Sequence, residues 1–188
     1  MVEIIIKQKQ KGVLKIVDLM DKVQKVADMG KSTKEKQRII NVVEVFYIWD
    51  VLVSKLDALE TLQIFEHMIE DNDLIIIKNK VKEGLVVGIE DMEALMRDYD
   101  LPFPMRPPAD VSSTVHIESI SDRDIFQMFY EVIAAFFPIL GIGFMQSTTP
   151  DVRKGLKNHL ILTIELQEML VEYGKLKGFL NQPPVYRP

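Results

Sequence analysis

The stretch Asp100–Ile120, DLPFPMRPPADVSSTVHIESI, decides the fold, because it separates two pairs of helical segments and its length limits how they pack. Short turns near Asn72 and near Thr148 make the helices flanking each turn antiparallel neighbours. The middle connection holds 21 residues. Extended, it reaches roughly 70 Å at about 3.3 Å per residue. A helix of about 26 residues is only about 39 Å long. The connection can therefore run the length of a bundle, which makes the second and third long helices parallel. A proline-rich extended strap suits a path along a bundle surface. Two independent hairpins on a flexible linker would each leave a broad apolar face in water, which disfavours that alternative.

Working outward towards the N-terminus, Leu74–Asp98 reads as a helix in which Gly84 and Gly88, four apart, predict close approach of another backbone. Before it, Ser32-x-x-Glu35 reads as a capping box opening a helix that runs to about Asp71. Val42, Val45, Trp49, Leu52, Leu56 and Leu59 form one stripe on it, and Val43, Phe46, Asp50, Val53, Asp57, Glu60, Ile64 and His67 the adjacent one. Residues 1–30 predict a further helix, with Val13, Ile16, Val17, Met20, Val23 and Ala27 at helical spacing and Gly30 suited to a C-terminal cap.

Towards the C-terminus, Ser121 and Asp124 form a second capping box. Pro138 inside that helix predicts a kink, and the helix fades near Ser147. Thr149-Pro150-Asp151 supplies a capping hydroxyl, a proline at the first helical position and an acid at the positive helix end. The last helix runs to about Leu180. The predicted fold is all-α: a ferritin-like up-down-down-up four-helix bundle with one long crossover and an additional N-terminal helix. Residues 31–188 form the bundle, with the crossover at 100–120, and residues 1–30 an accessory or oligomerising helix.

Composition narrows the function classes. The chain of 188 residues is 47% hydrophobic and 27% charged, which suits one soluble globular domain. A net charge of −5 without a basic face argues against a nucleic-acid partner. With no cysteine there is no disulfide, thiolate metal site or cysteine nucleophile, which fits a cytoplasmic location. MVEIIIKQKQKG is not a signal peptide. The apolar run Val132–Met145 is shorter than the about 20 residues a bilayer requires, so it predicts a core helix and no membrane insertion.

Three segments carry a resemblance: Tyr47–Leu74 (YIWDVLVSKLDALETLQIFEHMIEDNDL), Tyr99–Pro108 (YDLPFPMRPP) and Lys177–Pro188 (KGFLNQPPVYRP). With them, Glu44–Pro188 resembles an uncharacterised ferritin-like four-helix-bundle family of spore-forming bacteria, related to spore-coat protein F. The resemblance implies a bundle without an established activity, a spore association and, because longer relatives carry the unit twice, pairing with a second copy. It implies no catalytic residues.

The chemistry usual to such bundles is a di-iron site, which needs Glu-x-x-His on two helices and a carboxylate on each of the others. Here His67 follows Ile64 and His159 follows Leu156 at that spacing, and His116 lies in the crossover, so the pattern is absent. A non-standard iron or manganese site from Asp57, Glu60, His67, Glu131 and His159 is the alternative to no cofactor at all. Ser112, Ser113 and Thr114 near His116 form no arguable catalytic set, and the phosphate-loop, GxGxxG, GxSxG and HExxH patterns are missing. A second alternative is a carrier whose apolar pocket is lined by Phe136, Phe137, Ile142 and Phe144. The expectation is a non-enzymatic structural or interaction protein that forms a homodimer, with the N-terminal apolar face motivating self-association.

Overall fold

The computed structural model describes residues 30–108 and 120–186, together with Leu19, Lys22, Val23 and Val26. Most of the expected N-terminal helix and the middle of the crossover, including Ser112, Ser113, Thr114 and His116, lie outside the described residues. Among the described residues the structure is all-helical. A short α1 (Thr33–Gln37) precedes four long helices: α2 (Val42–Phe65), α3 (Asn72–Asp98), α4 (Asp122–Gln146) and α5 (Pro150–Lys177).

The capping box at Ser32 forms, but it opens only the five residues of α1. The long helix begins afresh at Asn41, whose side chain accepts from the Glu44 N–H at 2.9 Å while Glu44 accepts from the Asn41 N–H at 3.0 Å. α2 also ends earlier than its pattern suggests, passing into a 3₁₀ turn at Glu66–Met68. At the far end, Gly178 adopts φ 69° and stops α5 three residues before the tail, a left-handed cap that glycine adopts without strain. α4 stays continuous through Pro138, which is exposed. This helix is 25 residues long and, by length and composition, apolar enough to cross a membrane, yet Ile125, Phe126, Phe129, Ile133, Phe136 and Leu140 pack into the core.

The two hairpins pack on one another rather than standing apart: α2 lies against α3 and α4, and α5 against α3 and α4. Polar clamps fix the directions. Asp122, the first residue of α4, accepts from the N–H groups of Glu70 and Asp71 at 3.0 and 2.9 Å, so α3 and α4 start at the same end and run parallel. Lys177 at the end of α5 reaches Asp71 at 2.7 Å and Asp73 at 3.0 Å, which makes α5 antiparallel to α3. At the opposite end, Glu44 of α2 holds the α4–α5 turn by accepting from the N–H groups of Thr148 and Thr149 at 2.6 Å each and from the Thr149 hydroxyl at 2.8 Å. Thr149 therefore spends its hydroxyl on Glu44 and does not cap its own helix with it. The strap leaves α3 tied by Arg106, which donates to the buried Glu93.

The buried face of α2 differs from the predicted stripes. Ile48, Val51, Leu52, Lys55, Leu56 and Leu62 point inward, while Val42, Val43, Phe46, Trp49 and Asp57 are exposed. The physical reason is that α2 is apolar around most of its circumference, so periodicity cannot choose its inner side. Gly84 and Gly88 also do something other than admit a backbone. A Cβ at Gly84 would meet Leu166 Cδ1 at 3.1 Å, and one at Gly88 would meet Lys55 Cε at 2.5 Å. Both glycines make space for side chains.

Candidate functional site: a buried lysine and histidine

The polar groups that the core encloses least comfortably sit together midway along the bundle. Lys55 comes from the inner face of α2, between Val51, Leu52 and Leu56, and is 4% exposed. Its side chain lies across the bare backbone of Gly88 on α3, and its Nζ stands 4.7 Å from the centre of the Phe136 ring of α4. That ring is the partner a desolvated ammonium gains there. His159 of α5 is 2% exposed, and its Nε2 is 3.3 Å from the Asp91 carboxylate of α3. The alignment is too poor for a hydrogen bond, and both ring nitrogens lack a hydrogen-bond partner. Asp91 itself reaches solvent, with its side chain 58% exposed.

Electrostatics follow from this placement. Burial pushes the Lys55 amine down from 10.5 to about 8, opposed by the attraction of Asp91. Burial, and next the Lys55 charge, pushes His159 down from 6.5 to about 4, again opposed by Asp91. The imidazole is thus neutral at physiological pH, while about a tenth of the lysine is free amine at pH 7. Such a group is a nucleophile beside a proton acceptor. Sequence reading missed Lys55. Its signal was present, since a lysine stands at an inward position between Leu52 and Leu56, but a stripe drawn one position off the true face hid it.

The five candidate metal ligands differ in burial. His159 is buried, Glu60 half-buried, and Asp57, His67 and Glu131 are exposed, with Glu131 accepting from Gln127 at 2.9 Å. Among the described residues no three histidine or carboxylate side chains stand together as metal ligands do. The residues expected to line an apolar pocket are divided as well. Phe136 is buried, Phe137 and Phe144 are half-buried, and Ile142 is exposed. The guanidinium of Arg153 lies 4.1 Å from the Phe144 ring centre. A groove of about 360 Å³ opens elsewhere, between α3 and α5, with Gly84, Val87, Leu162, Leu166 and Met169 as its apolar lining and Lys80, Glu83 and Glu165 on its rim.

No protein-family model matches the chain, and no curated protein matches it. Among solved structures, a "putative spore coat protein" from Bacillus halodurans C-125 superposes with a TM-score of 0.74 at 18% identity, covering 79% of this chain and 96% of that one. At that identity the likeness shows a shared fold.

Proposed function

We propose that this chain is a non-enzymatic structural or interaction protein, built as a ferritin-like up-down-down-up four-helix bundle, that works in or on the spore and pairs with a second copy of itself. The shared fold with the Bacillus halodurans protein supports the spore association, and the opposed directions of neighbouring helices support the ferritin-like arrangement. The observation that carries the self-association is the outer side of α2. Val42, Phe46 and Trp49 are 81, 53 and 41% exposed, and Val43 and Ile39 join them.

The α4 terminus extends this face. Tyr47 packs on Gly143, where a Cβ would meet its ring at 3.0 Å, and Ile142 and Met145 beside it are exposed. With side-chain areas of about 150–250 Å², the exposed parts of these seven residues amount to roughly 700 Å². A standard dimer interface takes about 800 Å² from each partner, and a patch this large on a monomer is uncommon. One self-complementary face closes a two-fold pair without leaving a free end. Leu19, Val23 and Val26, helical and exposed, add a second apolar stripe that one copy leaves uncovered.

Size-exclusion chromatography with light scattering tests the reading: the wild-type chain runs as a dimer, and Phe46→Glu with Trp49→Glu runs as a monomer. A wild-type chain that stays monomeric at every concentration refutes self-association. A variant that stays dimeric moves the interface to another face.

A further inference from the structure

Lys55, Asp91 and His159 form a cluster that a purely structural role leaves unexplained. Each buried polar group in a folded core ordinarily finds a partner. Here Lys55 has only the Phe136 ring and a distant carboxylate, and His159 has no hydrogen bond at either ring nitrogen. α2, α3, α4 and α5 each contribute one member to this layer, and the only solvent-facing member is Asp91. Among the described residues, Lys55 and Asp91 are the charged groups that act on this layer.

We propose that Lys55 is an amine nucleophile held for a small uncharged aldehyde, with His159 and Asp91 placed to handle its protons. The class of electrophile follows from the surroundings. Asp91 at the solvent side repels an incoming anion, and the close fit of Lys55 against Gly88 and Phe136 favours a small molecule. Attack of the neutral amine on the carbonyl carbon forms the C–N bond. Both amine protons end on the carbonyl oxygen, relayed through a free ring nitrogen of His159, and that oxygen departs as water. The nitrogen lone pair closes the C=N bond, so amine plus aldehyde gives imine plus water without oxidant or reductant. The depressed basicity of Lys55 supports the proposal, since it raises the free-amine share at neutral pH. The site captures its ligand covalently and reversibly and goes beyond the structural role above.

The test treats the full-length protein with acetaldehyde and cyanoborohydride, and compares lysines by peptide mass spectrometry. At about pH 7, Lys55 is expected to be modified at least about tenfold faster than Lys80 and Lys175, whose side chains are 60 and 49% exposed. Its rate levels off above about pH 8, while theirs keeps rising. Gly88→Ala, whose Cβ overlaps the flexible end of Lys55, abolishes the advantage. His159→Gln slows Lys55 and leaves Lys80 unchanged. Slower modification of Lys55 than of both exposed lysines, as burial alone dictates, overturns the proposal, and so does a Lys55 rate still climbing at pH 10. An unchanged Lys55 rate in His159→Gln overturns the relay. Should Gly88→Ala fail to fold, the wild-type pH profile decides alone.

Discussion

Replacing Glu44 by Gln isolates the clamp between the start of α2 and the α4–α5 turn. The carboxylate is fully buried and accepts four hydrogen bonds: from the N–H groups of Thr148 and Thr149 on Oε1, and from the Asn41 N–H and Thr149 hydroxyl on Oε2. An amide of the same shape keeps one acceptor oxygen. Its NH₂ then faces either the Thr148 and Thr149 N–H groups or the Asn41 N–H, so at least one buried donor loses its acceptor and the rest lose charge assistance. At about 1–3 kcal/mol for an unsatisfied buried group, plus the weakening of charged hydrogen bonds, the expected loss is about 2–4 kcal/mol at pH 7. For a chain of this length that lowers Tm by roughly 5–12 °C.

The pH dependence has a definite sign. Burial would raise the Glu44 pKa, but the hydrogen bonds from Thr149, Asn41 and Thr148 outweigh it and hold the value below 4.5. The stabilisation is therefore fully present above about pH 4.5 and lost as pH falls through the lower folded value. Urea titrations at pH 7 and at steps down to pH 3 check both parts. A Glu44→Gln protein with wild-type stability at pH 7 and an unchanged acid limb would refute the reasoning.

Other substitutions follow from the same geometry. Lys55→Met is expected to stabilise the protein by up to about 3 kcal/mol at neutral pH, because folding lowers the amine from 10.5 to about 8. In the wild type that cost is relieved as pH rises from 8 towards 10.5, which thermal melts at pH 7 and pH 10 will show. His159 behaves in the opposite range: its neutral form is buried, so stability is complete above about pH 6.5 and falls by about 3 kcal/mol as pH drops towards 4. His159→Phe removes that slope from a denaturation series. Gly174→Ala is expected to cost about 1–3 kcal/mol, since the new Cβ would lie 2.5 Å from Cζ of the fully buried Phe126 ring, and calorimetry reads the loss. Arg106→Ala frees the start of the strap from Glu93, and limited proteolysis is expected to cut there sooner than in the wild type.

The sequence by itself determined that the chain is helical, where most helices begin, and that a long strap separates two hairpins. Those features rest on local chemistry: capping at Ser32 and Ser121, the Asp71 turn, and proline at the start of α5. On α3 and α5 polar and apolar residues separate by face, with Leu74, Ile77 and Val81 buried on the one and Val152, Leu156 and Leu170 on the other, so periodicity identifies the inner side there. It failed on α2, because Val42, Phe46 and Trp49 outside are as apolar as Ile48, Val51 and Leu52 inside. Only tertiary structure chose between these sides, by setting α2 against both α3 and α4. The candidate site was only partly legible for the same reason: a lysine between Leu52 and Leu56 was a signal, but the face it lies on was not fixed. Lys55, Asp91 and His159 lie on three helices, far apart in the chain, and a lone buried lysine is distinguished from a solvated one only by what packs over it. The exposed, apolar face of α2 and the buried, polar centre of the bundle are consequences of that one packing choice.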